Sequence, residues 1–104
     1  MSRLLGDLLQ KAQNIKSKVA EFRDELKNKK VESISEDGYI KVVASCDKQI
    51  ESISIDPASI SDSEKLQESV LKTVNDALEK AGEVQKEVGE RAMKEAGISL
   101  PGIF

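Results

Sequence analysis

Apolar side chains recur along the first part of the chain at alternating spacings of three and four residues. The positions that share this spacing form what we call the N-terminal seam: Leu5, Leu8, Ala12, Ile15, Val19, Phe22 and Leu26. Such a spacing places apolar side chains on one narrow stripe of an α-helix, as in coiled coils. The pattern predicts a first helix over residues 1–28, about 40 Å long, that packs its stripe against another helix.

The hydrophobic pattern changes its period after residue 30. Short runs rich in β-branched residues are separated by "EDG" before Tyr39 and by "CDK" after Ser45. Asp-Gly supplies the positive φ that tight hairpin turns need. The segment 31–55 is therefore predicted to form three strands near 31–36, 39–46 and 49–55, arranged as an antiparallel meander with one buried face.

A second helical pattern follows the predicted strands. Pro57 cannot join a strand ladder, and Ser61 followed by Glu64 fits a capping box, so we expect a helix over 61–96. Its apolar stripe includes Val70, Val74, Ala77 and Ala81. Gly97 fits a C-cap, and 97–104 form an apolar tail, "GISLPGIF". The whole chain, 1–104, is predicted to be a single α+β domain in the order α-β-β-β-α, with two long helices flanking the meander.

The chain has few large apolar side chains from which to build a hydrophobic core. Charged residues make up 34% of the 104 residues and aromatic residues only 3%. A lean core spread over long helices favours burial against a second copy of the chain. With one cysteine and no long apolar segment, the chain is expected to be cytoplasmic, with no membrane partner.

Positive charge is concentrated in the first helix although the net charge is −3. Residues 1–30 hold eight basic and four acidic side chains. The basic ones are Arg3, Lys11, Lys16, Lys18, Arg23, Lys27, Lys29 and Lys30. Taken alone, they fit either a solvated face that pairs with acids such as Glu87, Glu90 and Glu95, or a surface for DNA phosphates. Lower-ranked candidates on the second helix alternate with acids: Lys80, Lys86, Arg91 and Lys94.

The sequence contains no arrangement typical of an enzyme. It has no histidine, which is the commonest general base and metal ligand. Asp37, Asp47 and Asp56 fall at predicted turns, where aspartate makes local hydrogen bonds. Cys46 is expected to be a small buried apolar residue. We therefore expect no catalytic residues, no metal, no cofactor and no small-molecule substrate.

Several stretches together resemble the YbaB/EbfC family of bacterial nucleoid-associated DNA-binding proteins. They are "LLGDLLQKAQNIKSKV", "GYIKVVAS", "IESISIDPASI", "VNDALEKAGEVQKE" and "LPGIF", in family order across nearly the whole chain. The resemblance implies an intertwined homodimer whose paired sheets form a body and whose long helices project as arms. The chain departs from the family pattern at "SCDK", where many relatives have a glycine-containing turn.

The resemblance also implies a function. It favours a homodimer in the bacterial nucleoid that contacts the phosphates of double-stranded DNA, mainly through the basic residues of the helical arms. Aromatic side chains suited to stacking on single-stranded bases are missing, which favours duplex DNA. The alternative is a prefoldin-like helical holdase or scaffold that binds protein clients, because that class shares the layout of two helices beside β-hairpins.

Overall fold

The described residues of the computed structural model, 2–95 and 97, form two long helices and a three-stranded sheet. The elements are α1 (Ser2–Asn28), β1 (Lys30–Ile34), β2 (Ile40–Ser45), β3 (Ile50–Ile55), a 3₁₀ turn (Pro57–Ser59) and α2 (Ser63–Glu95). The predicted α-β-β-β-α order is confirmed. The predicted tail beyond Gly97 lies outside the described residues.

The sheet is an antiparallel meander in the order β1-β2-β3. The first turn is built as "EDG" predicts, because Gly38 has a φ of 79° and its N–H donates to the carbonyl of Ser35 at 2.9 Å. The carboxylate of Asp37 accepts from the Ser35 hydroxyl at 2.6 Å and from the N–H of Tyr39 at 3.0 Å. These two bonds lower the pKa of Asp37 and fix the turn.

The second turn places a lysine where glycine is the easier residue. Lys48 has a φ of 67°, and its N–H donates to the carbonyl of Ser45 at 3.0 Å. A left-handed conformation costs a residue with a β-carbon free energy that glycine does not lose. The turn at "SCDK" therefore carries local backbone strain at Lys48.

The central strand supplies most of the core beneath α2. Ile40, Val42 and Ala44 point to one face of the sheet and are fully buried, together with Ala77 of α2. The partly buried side chains packed against them are Val31, Leu66, Val70 and Val74. α2 lies across β1 and β2 rather than across β3. Among the described residues, the sheet is thus covered on one face and only over two of its strands.

α2 begins two residues later than the sequence pattern suggested. Asp62, rather than Ser61, caps the helix, since its carboxylate accepts from the N–H of Lys65 at 3.1 Å. Pro57 starts the separate 3₁₀ turn, in which the Asp56 carboxylate accepts from the N–H of Ala58 at 2.9 Å. The 3₁₀ turn precedes Ser61, and the helix is capped by the next side chain that can accept a hydrogen bond, that of Asp62.

The C-terminal end of α1 is anchored in a second, smaller core. Leu26, Cys46 and Val88 are buried together, with Phe22 partly buried beside them. The N–H of Cys46 also donates to the carbonyl of Leu26 at 3.0 Å, so the residue after β2 satisfies a carbonyl at the end of the helix. From this anchor α1 extends outward and gives the molecule an elongated form of 72 × 24 × 17 Å.

Candidate nucleic-acid interface

Three cations of α1 line up on one face of the helix. Lys16, Arg23 and Lys27 fall within about 40° of one another around the helix axis, since each residue turns the helix by about 100°. All three are exposed, and none forms an ion pair with another described residue. The acid closest to this face on α1 is Asp24, about 80° away. We call these three residues the cation strip.

The cation strip also points away from the acids of α2. α1 meets α2 through the side that holds Phe22, Leu26 and Glu25. The three residues lie about 80° to 180° from the middle of the strip. The strip is therefore an exposed positive surface on a chain whose net charge is negative.

Three other predicted cations are engaged in ion pairs. Lys18 lies 3.4 Å from Glu21 and 3.5 Å from Glu95, and these two carboxylates raise the pKa of its ammonium group. Lys29 lies 3.3 Å from Glu25, and Lys30 pairs with a glutamate of β3. The pairing expected for a solvated face therefore accounts for Lys18, Lys29 and Lys30, and it weakens them as phosphate ligands.

Arg3 and Lys11 lie near the outer end of α1. Both are exposed and neither is ion-paired within the described part of the chain. Each is four residues from Asp7, which lies between them on the same side of the helix. Their field is therefore partly neutralised.

The lower-ranked cations of α2 do not extend the cation strip. Arg91 pairs with Glu25, and the ammonium group of Lys80 donates to the carbonyl of Glu32 at 2.8 Å. Lys86 and Lys94 are exposed. They lie about 80° apart around α2, so they do not share a face.

Away from these cations, the described surface carries two depressions that are open to solvent. Two open depressions of about 270 and 340 Å³ flank the first hairpin turn, at the end of α2 remote from α1, and both mix acids with lysines. Burial raises the pKa of the Cys46 thiol, which keeps it protonated. Over residues 2–95 and 97, no group of three acidic or cysteine side chains could hold a metal ion, and neither helix is long and apolar enough to cross a membrane.

An apolar groove lies between β3 and one flank of α2. Ile53 is paired with Val42 across the ladder, and paired residues of an antiparallel sheet point to the same face. The isoleucines of β3 therefore share the face that α2 covers elsewhere, but they stay exposed: Ile50 at 37%, Ile53 at 45% and Ile55 at 41%. Leu71 is 63% exposed and lies three helical turns from Gly82, on the same face of α2. Gly82 sits beside Lys48 of the β2–β3 turn, so this face of α2 is the one nearest β3.

This groove was missed at the sequence level. The predicted seam residues of α2 lie in the interior of the subunit instead, since Ala77 and Ala81 are buried and Val70 and Val74 pack against the core. The run of isoleucines in β3 could have indicated the groove. One helix that covers two strands leaves the apolar side chains of the third strand exposed. We call Ile50, Ile53, Ile55 and Leu71 the β3 groove.

Comparison with known proteins identifies the family. The model of the YbaB/EbfC DNA-binding family matches residues 1–96. The chain belongs to that family. A nucleoid-associated protein of Thermoanaerobacter sp. (strain X514) is 33% identical over 102 residues, covering 96% of this chain and 90% of the relative. A nucleoid-associated protein of Desulforamulus reducens is 35% identical over 103 residues, covering 96% of this chain and 95% of the relative.

The same fold occurs in a crystal structure of another protein. The crystal structure of an uncharacterized protein from Helicobacter pylori superposes with a TM-score of 0.74 at 21% sequence identity. The match covers 86% of this chain and 92% of the other. The α-β-β-β-α arrangement of this YbaB/EbfC chain is therefore found in an experimental structure of low sequence identity.

Proposed function

We propose that this chain is a non-enzymatic, nucleoid-associated protein of the bacterial cytoplasm that binds duplex DNA as a homodimer. The cation strip, Lys16, Arg23 and Lys27, contacts phosphate oxygens along one DNA backbone. The observation that carries the proposal is that these three cations share one exposed face of α1 and that none of them is ion-paired with another described residue. Membership of a DNA-binding family and the names of the relatives support it.

The chemistry of the strip favours backbone contacts over base readout. Lys16 and Lys27 are separated by eleven residues, or about 16 Å along the helix axis, so the strip follows a strand rather than a point. Long cations on a helix face bind phosphates by charge, with little dependence on base sequence. Tyr39 and Phe22, the aromatic residues within the described range, lie away from the strip, so stacking on bases has no support.

Homodimer formation is the second part of the proposal. The β3 groove is apolar, and β3 is the edge strand beside it. Exposed apolar grooves next to an unpaired strand are typical of subunit interfaces. A second copy that fills the groove would place two cation strips in one particle and double the number of phosphate contacts.

A salt titration tests the proposal. A short fluorescent duplex is titrated with the protein at a series of potassium chloride concentrations, and binding is followed by anisotropy. If both copies engage three cations, the plot of log affinity against log salt has a slope of about −5. An absence of binding at low salt, or an affinity that does not change with salt, would contradict the proposal.

The holdase alternative has one observation in its favour. The outer part of the N-terminal seam is exposed, with Leu5 at 65% and Leu8 at 57%. A client-binding protein needs such apolar surface, whereas DNA binding needs the cations. Reversing the charges of Lys16, Arg23 and Lys27 separates the two functions. Suppression of client aggregation that survives the reversal, without DNA binding by the parent protein, would favour the holdase.

A further inference from the structure

The β1 strand forms one edge of the sheet, and every second residue of it turns its backbone groups away from β2. At one end of the ladder the N–H of Ser35 donates to the carbonyl of Ile40 at 2.9 Å. At the other end the N–H of Cys46 donates to the carbonyl of Lys29 at 2.9 Å. Both pairs follow the register of the β1–β2 ladder, in which hydrogen-bonded pairs recur at every second residue. The residues of β1 whose N–H and C=O groups point to the open edge are therefore Lys30, Glu32 and Ile34.

A lysine of α2 is bonded to the middle one of these outward carbonyls. The ammonium group of Lys80 donates to the backbone carbonyl of Glu32 at 2.8 Å. Eight residues earlier on α2, Lys72 lies 3.2 Å from the carboxylate of Glu36, just past the end of β1. Eight residues span about 12 Å of helix, and the four from Glu32 to Glu36 span about 13 Å of extended chain. α2 therefore runs antiparallel alongside β1, and Lys80 reaches the edge of the sheet from the helix that covers it.

The edge at β3 has no such contact among the described residues. The N–H of Asp56 donates to the carbonyl of Tyr39 at 2.8 Å, in register with the β2–β3 ladder. By the same alternation, the backbone groups of Ile53 and Ile55 point outward from β3. No described side chain forms a hydrogen bond with these groups. The two edges of one sheet thus differ, since an outward carbonyl is bonded to a side chain at β1 and none is at β3.

The Lys80 contact opposes the addition of another strand at β1. A strand that pairs with this edge needs an N–H at the carbonyl of Glu32. It would have to displace the ammonium group of Lys80 or enclose it between two strands. Enclosing a charge without a carboxylate partner costs free energy, so either route weakens the pairing.

We propose that Lys80 keeps second copies of the chain from adding to the sheet at β1. Natural sheets commonly protect an exposed edge with a lysine. Here the lysine belongs to the covering helix rather than to the strand, so the protection forms only once α2 has packed on the sheet. The inference goes beyond the proposed function and depends neither on DNA binding nor on the β3 groove.

Sedimentation velocity over a range of protein concentrations tests the proposal. Lys80→Met keeps an unbranched side chain but removes the charge and the hydrogen-bond donor. The variant should form species larger than those of the parent chain at concentrations at least about tenfold lower, because the carbonyl of Glu32 loses a charged donor. A Lys80→Met variant that sediments like the parent chain at every concentration would overturn the proposal.

A matched variant separates the edge from the general charge of α2. Lys72→Met removes the same charge from the same helix but leaves the carbonyl of Glu32 bonded to Lys80. It should sediment like the parent chain. Association of Lys72→Met at the level of Lys80→Met would overturn the proposal, since loss of charge alone would then be the cause.

A proline identifies the edge at which the copies add. The N–H of Ile34 points outward and makes no bond to β2, so Ile34→Pro removes a donor from the open edge without breaking the β1–β2 ladder. The double variant Lys80→Met/Ile34→Pro should return to the sedimentation of the parent chain. Association that persists undiminished in the double variant would show that the copies add elsewhere and would overturn the proposal.

Discussion

Both carboxylate oxygens of Glu25 accept hydrogen bonds from the guanidinium of Arg91, and this contact joins α1 to α2 beside the small core. Lys29 approaches the same carboxylate at 3.3 Å. The pKa of Glu25 is lowered, first by the hydrogen bonds from Arg91 and secondarily by Lys29. The contact adds an ion pair between α1 and α2 next to the buried cluster of Leu26, Cys46 and Val88.

The titration of Glu25 tests this contact. Because the folded-state pKa is lowered, the contact stabilises the protein above the unfolded pKa of about 4.3 and loses its effect as the pH falls through the folded value. We expect the Glu25 carboxyl signal, followed by nuclear magnetic resonance, to titrate below the usual range. In Arg91→Gln it should move up towards that range. Lys29→Gln should move it less, and the reverse order would contradict the assignment of causes.

The β3 groove predicts how dimerisation can be broken. Ile53→Asp places a charge in the groove, where burial against a second copy leaves it unpaired, so the dimer dissociation constant should rise roughly 30-fold or more. Sedimentation velocity measures the change. The control is Ser54→Asp, since Ser54 is paired with Lys41 and points to the opposite face. A dimer that tolerates Ile53→Asp as well as Ser54→Asp would place the interface elsewhere.

The turn at Lys48 predicts a stabilising substitution. Lys48→Gly relieves the positive φ of 67° and should raise the free energy of unfolding by about 1 kcal/mol. Lys48→Ala removes the side chain, which lies over Gly82, but keeps the β-carbon. It should therefore give no such gain. Urea denaturation measures both, and equal effects of the two variants would show that backbone strain is not the cause.

Sequence patterns were sufficient for the elements of the fold but not for the pairing of charges. The order of helices and strands follows from local spacing and from turn residues such as Gly38. Both signals depend only on neighbours along the chain. The cap of α2 was misplaced by one residue because Ser61 and Asp62 can both cap, and Asp62 does so in the structure.

The division of the predicted cations into paired and unpaired groups depends partly on contacts between distant parts of the chain. Lys18 meets Glu95 and Lys30 meets Glu51 only after α2 and β3 are in place. No spacing in the sequence encodes these pairs. The β3 groove has the same origin, since which strand α2 leaves uncovered is a property of packing rather than of periodicity.

The central claim is that the cation strip, and not the general charge of α1, holds the DNA. Two triple variants remove the same number of charges from the same region: Lys16→Gln/Arg23→Gln/Lys27→Gln removes the strip, and Lys18→Gln/Lys29→Gln/Lys30→Gln removes the paired cations. Anisotropy with a labelled duplex at several salt concentrations is the measurement. We predict that the strip variant loses at least about 100-fold in affinity and nearly all of its salt dependence, while the paired-cation variant stays within about threefold of the parent chain. Equal losses in the two variants, or a strip variant that binds like the parent chain, would contradict the account.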